Sequence, residues 1–83
     1  MIYSSGAEID LVLAKGGRLF GVECKRVDAP QLTPSMRTAL SDLQLDRIAV
    51  VYPRTKRYTL GPRVTAVPLE AVAEGMKGLF GKK

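Results

Sequence analysis

The fold is decided by residues 10–25, which read DLVLAKGGRLFGVECK. Two runs with alternating apolar side chains flank the Gly16-Gly17 pair, and a Gly-Gly pair in that position is a strong signal for a two-residue hairpin turn. A turn at these glycines predicts that Leu11 lies directly opposite Val22. The sequence therefore predicts an antiparallel β-hairpin in this register.

The same register brings charged residues together at the end of the hairpin far from the turn. It places Asp10 opposite Glu23, and Glu8 opposite Lys25. Residues directly opposite each other have Cβ atoms about 4.5–5.5 Å apart, and like charges at that separation destabilise a sheet. Two carboxylates repel there unless a proton or a cation lies between them. The hairpin therefore predicts a site for a hard divalent cation, which takes one or two carboxylates and completes its coordination with water and phosphate.

Composition limits the chemistry that this chain can perform. The 83 residues make one small domain, residues 1–83, and the single cysteine rules out an internal disulfide and favours a reducing cytoplasm. No apolar run approaches the length of about 18 residues that a membrane span needs. The absence of histidine excludes a Ser-His-Asp triad and a histidine zinc site. Catalysis would have to use carboxylates, lysine and a hard metal.

Charge favours an anionic partner. The net charge is +5, which fits a domain that binds nucleic acid. Three of the basic residues, Arg54, Lys56 and Arg57, follow one predicted strand and precede another. They form either a solvated turn or a patch that contacts DNA phosphates, with Tyr52 and Tyr58 on either side.

The rest of the chain predicts helices packed on a mixed sheet. Thr33 followed by Pro34 reads as a helix N-cap and first helical residue, and an apolar stripe at helical spacing follows. Further strands are predicted over residues 48–52, 58–60 and 64–67, and one C-terminal helix over residues 69–80. The fold class is therefore α/β or α+β, a mixed sheet built on a central hairpin with about two flanking helices. In the hairpin, Ile9 is expected to share a face with Leu11, and Cys24 is expected to be an inert core residue.

An Asp on one hairpin strand and Glu-x-Lys on the next, followed by a helix and a buried strand, resembles the PD-(D/E)xK, or restriction-endonuclease-like, superfamily. The resemblance implies that Asp10, Glu23 and Lys25 are catalytic residues. It implies that Asp10, Glu23 and the backbone carbonyl of Cys24 bind Mg²⁺ or Mn²⁺, and that Lys25 lies beside the attacking water. Glu8 would be a further polar group behind the metal ligands. The superfamily's fold usually opens with a helix, and no such helix is expected before this hairpin.

More narrowly, residues 6–10 (GAEID) and residues 21–25 (GVECK) resemble a C-terminal domain of unknown function found in a prokaryotic family of AAA-type P-loop ATPases. The resemblance runs from about Tyr3 to Val72. It implies that the chain is the C-terminal fragment of a longer ATPase, with the remainder of that chain or a second copy as its partner. Residues 15–17 lack the spacing of a Walker A motif, so ATP hydrolysis is not ascribed to this chain.

The sequence is compatible with two functions, one enzymatic and one not. The first is Mg²⁺-dependent hydrolysis of DNA phosphodiesters. The second is a non-catalytic module that keeps the nuclease-like scaffold for binding, or for packing against the rest of an ATPase. A scaffold that forms homo-oligomers and binds no anion is a third, simpler reading.

Overall fold

The computed structural model describes residues 9–81. Five strands form one sheet in the order β1-β2-β3-β5-β4. The strands are β1 (Leu11–Lys15), β2 (Arg18–Cys24), β3 (Arg47–Tyr52), β4 (Tyr58–Gly61) and β5 (Val64–Pro68). The helices are α1 (Pro34–Asp42), a 3₁₀ helix (Leu69–Glu74) and α2 (Gly75–Phe80). The predicted class, a mixed sheet with two flanking α-helices, is confirmed.

The hairpin forms at the predicted glycines and in the predicted register. Gly16 and Gly17 have φ values of +60° and +78°, a region that residues with a Cβ rarely adopt. The paired residues run from Leu11 with Val22 to the residues beside the turn. Within the described residues, β1 lies at one end of the sheet, and β3 lies in the middle between β2 and β5, parallel to both.

The start of the hairpin differs from the prediction. Pairing begins at Leu11, and Asp10 lies in a bend, so the alternation of the strand does not extend back to Ile9. Ile9 is buried in the same cluster as Val12, on the opposite face from Leu11, and its predicted face was wrong. Cys24 is exposed rather than a core residue, since it is the last residue of β2 and lies beyond the paired part of the hairpin.

Helix α1 covers one face of the sheet. The Thr33 hydroxyl accepts a hydrogen bond from the Met36 N–H at 3.2 Å, and Pro34 is the first helical residue, which confirms the predicted start. The buried side chains of α1 join apolar residues of the sheet and of the segments next to its strands in one cluster, which contains Ile9, Val12, Met36, Ala39, Leu45, Ile48, Val50 and Val64. A Cβ at Gly21 would lie 2.8 Å from the Leu45 Cδ1 atom, so glycine lets this layer pack closely on β2.

The 3₁₀ helix and α2 cover the other face. Their buried side chains pack against the sheet in a second cluster, which contains Val22, Ala49, Val51, Val67, Ala71 and Leu79. The single C-terminal helix of the prediction is divided at Gly75, whose φ of +64° interrupts regular helical geometry. Strand β3 is thereby buried on both sides, as its apolar run predicted. No helix within residues 9–81 has the length and apolar character needed to cross a membrane.

Candidate functional site

Asp10 is joined to β2 by its side chain. Its Oδ2 atom accepts a hydrogen bond from the backbone N–H of Cys24 at 2.8 Å. Asp10 precedes β1 in the chain, so this bond closes the open end of the hairpin beyond the Leu11–Val22 pair. The structure therefore brings the Asp10 side chain to the Glu23-Cys24 peptide, through a bend and not through the cross-strand pairing with Glu23 that was predicted.

Glu23 is buried, with 6% of its surface exposed, and no other charged or polar residue among the described ones is so buried. It lies in register with Val50 of β3. A Cβ at Gly21, two residues earlier, would contact Leu45 and Ile48, so strand alternation places Glu23 on the face that α1 covers. This carboxylate therefore lies against the hydrophobic layer between α1 and the sheet.

The two oxygens of Glu23 have different surroundings. Oε2 lies 2.9 Å from the Lys25 Nζ atom, whereas Oε1 is buried and accepts no hydrogen bond within the part of the chain that the structure describes. A buried acceptor without a partner costs about 1–3 kcal/mol. In native proteins almost all buried acceptors have a hydrogen-bond partner. An unpaired carboxylate oxygen is therefore a place where an ion or an ordered water would bind.

Lys25 lies on the same side of the strand as Glu23, because residues two apart in an extended chain share a face. Its backbone N–H donates to the Val51 carbonyl at 2.8 Å, so the parallel pairing of β2 with β3 continues through this residue. The side chain is 35% exposed, and its ammonium contacts Glu23.

The pKa of the exposed Cys24 thiol is affected by the negative charge around it. Partial burial raises its pKa above the ordinary value, and the charges of Asp10 and then Glu23 raise it further. Both acids adjoin Cys24, Asp10 through its hydrogen bond to the Cys24 N–H and Glu23 as the preceding residue of β2. Glu8, which the resemblance places behind the metal ligands, lies outside the described residues.

The donors present suit some metals and not others. Within residues 9–81, no three His, Cys, Asp or Glu side chains are grouped so that they could hold a metal. A closed zinc site needs four such ligands, so it does not fit. Mg²⁺ takes only one or two carboxylates and keeps several waters, and the unpaired Oε1 of Glu23 fits that requirement.

The three residues predicted to contact DNA do not form one basic patch, because two of their side chains bond to other parts of the domain. Arg54 forms an ion pair with Asp28 at 2.9 Å, and its hydrogen bond holds the pKa of that carboxyl below the usual range. Arg57 donates to the carbonyl of Gly78 in α2. Lys56 has an exposed side chain, and its backbone carbonyl accepts a bond from a tyrosine.

The two tyrosines beside this stretch have packing roles. The Tyr52 hydroxyl donates to the carbonyl of Lys56, and the Tyr58 hydroxyl donates to the carbonyl of Pro30 at 3.0 Å. Their rings meet edge to face with centroids 5.8 Å apart. The first bond holds the loop after β3 against that strand, and the second ties the start of β4 to the segment that follows β2.

Comparison with known proteins identifies the family. Residues 3–72 match the family model described as DUF4143, a domain of unknown function. The chain belongs to the DUF4143 family. Two uncharacterised proteins, one of Mycobacterium bovis and one of Mycobacterium tuberculosis, are each 47% identical to the DUF4143 chain over 66 residues.

The matched region covers 80% of the DUF4143 chain and 15% of the length of each mycobacterial protein. The chain therefore spans a small part of the curated relatives that it matches. No solved structure matches it significantly.

Proposed function

We propose that this DUF4143 domain is a restriction-endonuclease-like module that binds a divalent cation with Asp10 and Glu23 and hydrolyses DNA phosphodiesters. The observation that carries the proposal is the buried Glu23 carboxylate, with Oε1 unpaired and Oε2 beside the Lys25 ammonium. An acid in this position costs the fold free energy, and cation binding would offset that cost.

The arrangement of the elements supports the same reading. An antiparallel hairpin leads through α1 into β3, which is parallel to β2. Asp10 therefore precedes the first hairpin strand, and Glu23 and Lys25 lie at the end of the second. Resemblance to the PD-(D/E)xK superfamily rests on this order of strands together with those three residues.

In the proposed site, Asp10, Glu23 and the backbone carbonyl of Cys24 would hold Mg²⁺ or Mn²⁺. Such an ion polarises a phosphoryl oxygen and lowers the pKa of a bound water. Lys25 would bind a phosphate oxygen and stabilise the negative charge that develops during hydrolysis. The apolar layer under α1 would lower the local dielectric around Glu23 and strengthen these interactions.

Two further features bear on partners. The net charge of +5 favours a polyanion such as DNA. The curated relatives are several times longer than the matched region, which fits a domain that works attached to other parts of a larger protein such as a AAA-type ATPase.

An alternative function is a non-catalytic module that packs against the rest of such an ATPase or against a second copy. The observation in its favour is the exposure of Leu69 and Val72 on the 3₁₀ helix, which are 59% and 47% exposed. Apolar side chains grouped at a surface often mark an interface. In this reading the carboxylates keep the scaffold's shape without performing chemistry.

The metal site is tested by measuring melting temperature during titration with Mg²⁺ and with Mn²⁺. Wild type is compared with Glu23→Gln and with Asp10→Asn, whose amide oxygen can still accept the Cys24 N–H. An ion at 100 times its Kd would stabilise wild type by about 2.7 kcal/mol and leave both variants unchanged. If wild type gains no more than the variants, the metal site is refuted.

Activity needs a separate assay on single-stranded, nicked and branched DNA. Lys25→Met is the matched variant, since it keeps most of the side-chain length and removes the charge. Cleavage that depends on both the metal and Lys25 supports the nuclease. Stabilisation by metal without Lys25-dependent cleavage would favour the non-catalytic module.

A further inference from the structure

A pocket lies away from the carboxylates, on the face covered by α2. Its volume is about 260 Å³, and it lies between the sheet and the end of the helix. Arg47, the first residue of β3, lines it from the same face as Ala49 and Val51. Arg47 lies four positions before Val51 in β3, and Val51 pairs with the end of β2. The two sites are therefore about 13 Å apart along the strand.

The sheet beside this pocket carries small and hydroxyl-bearing side chains on the same face. Strand pairing sets Ala49, Thr65 and Thr59 side by side across β3, β5 and β4. Their short side chains leave space above the sheet, and each threonine offers a hydroxyl that can donate or accept a hydrogen bond. Both threonines line the pocket.

Two arginines, Arg47 and Arg57, line the same space. Arg47 is exposed and has no carboxylate partner among the described residues, and no acidic residue is among those that line the pocket. Arg57 donates one of its five N–H groups to Gly78 of α2, and this contact ties it to the helix end. Two neighbouring cations without an acid repel each other, and a bound anion would relieve that repulsion.

The wall and the size of the pocket limit what it can hold. Phe80 lines the pocket, and its ring packs on Phe20 with centroids 4.8 Å apart. This contact holds one wall of the pocket in place. Sites for drug-sized ligands measure about 300–1,000 Å³, so this one suits a smaller group. Arginine forks match the oxygens of phosphate in bidentate geometry.

We propose that this pocket binds one phosphate group through Arg47, Arg57 and the hydroxyls of Thr59 and Thr65. The phosphate comes either from a small phosphate ester, such as a mononucleotide, or from the 5′ end of a nucleic acid strand. The site is independent of the carboxylate centre, because it uses the opposite face of the sheet and different residues.

The test is a titration of the ¹⁵N-labelled protein followed by NMR at constant ionic strength. The probes are inorganic phosphate, a nucleoside 5′-monophosphate, and a short single strand with and without a 5′-phosphate. We expect saturable shifts of the Thr59 and Thr65 amides with the phosphate-bearing probes. Arg47→Gln should weaken binding about tenfold or more, since it removes a charge-assisted hydrogen bond.

The matched control is Arg37→Gln, which removes the same charge from an exposed position on α1, on the other face. It should change affinity less than about twofold, because exposed distant charges are largely screened. Thr65→Val keeps the side-chain shape, lacks the hydroxyl and should also weaken binding.

The relative affinities of the probes identify which kind of molecule supplies the phosphate group. Tighter binding of the 5′-phosphorylated strand indicates a strand end, whereas equal or tighter binding of the mononucleotide indicates a free ester. The proposal is overturned if no phosphate probe shifts these amides saturably. It is also overturned if Arg37→Gln and Arg47→Gln reduce the affinity equally, since that would indicate general charge attraction.

Discussion

Replacing Glu23 with leucine is expected to stabilise the domain when divalent cations are absent. The carboxylate is 6% exposed and faces the apolar layer under α1, with Oε1 unpaired. Leucine has a similar volume and no polar atoms. A residue retained for a ligand, at a cost to stability, should show this gain when it is replaced.

The magnitude follows from two contributions and is checked against the range found for similar substitutions. The unpaired oxygen costs about 1–3 kcal/mol, which the substitution recovers. The lost pair with Lys25 is worth at most about 1 kcal/mol, since the lysine side chain is 35% exposed and solvent screens it. Replacing a buried charge by an apolar side chain is often neutral or stabilising by about 1–4 kcal/mol. We expect a net gain of about 1–2 kcal/mol, or about 4–8 °C in Tm for each kcal/mol in a domain of this size.

The assay is urea unfolding followed by circular dichroism in EDTA, with Glu23→Gln as the control. Glutamine keeps a polar side chain in the same buried position, so it should gain less than leucine. Added Mg²⁺ should stabilise wild type and neither variant. A loss of more than about 1 kcal/mol in Glu23→Leu would refute the reasoning, because it would show that the carboxylate stabilises the fold without a cation.

Three further predictions concern the parts of the fold that position the site. Gly21→Val should cost about 1–3 kcal/mol in urea unfolding, since a Cβ there would lie 2.8 Å from Leu45 Cδ1; an unchanged midpoint would contradict the close packing. Thr33→Ala should cost about 1 kcal/mol by the same assay because the N-cap bond is lost, and no loss would mean that the cap contributes nothing. Hydrogen bonding to Arg54 lowers the pKa of Asp28, so this pair stabilises the fold above pH 3.8 and the contribution is lost as pH falls further. Asp28→Asn should therefore lose less stability than wild type below that pH, and identical acid unfolding curves would contradict this.

The sequence predicted those parts of the fold that local signals determine. The glycine pair and the alternation around it set the hairpin register, and Thr33-Pro34 set the start of α1. The register also predicted that Asp10 would reach the end of β2, where its side chain accepts a hydrogen bond from the Cys24 N–H. Each of these depends on residues that are neighbours in sequence or across a two-residue turn.

The remaining features depend on contacts between distant segments. Arg54 and Arg57 bond to partners 26 and 21 residues away, so their roles could not be read from a run of basic residues. The bend at Asp10 reverses the face of Ile9, and φ at Gly75 interrupts a continuous helical pattern. Glu23 is buried because α1 covers this face of its strand, and the pattern of residues within the strand does not predict that contact.

The most direct test of the metal site is a crystal structure of the domain soaked in Mn²⁺, with data collected to reveal the anomalous signal of the ion. We predict a peak between the carboxylates of Asp10 and Glu23, bonded to Oε1 of Glu23, and no peak there in crystals of Glu23→Gln. An empty position in the wild-type map, or manganese bound only elsewhere on the surface, would contradict the assignment of a cation site to this hairpin.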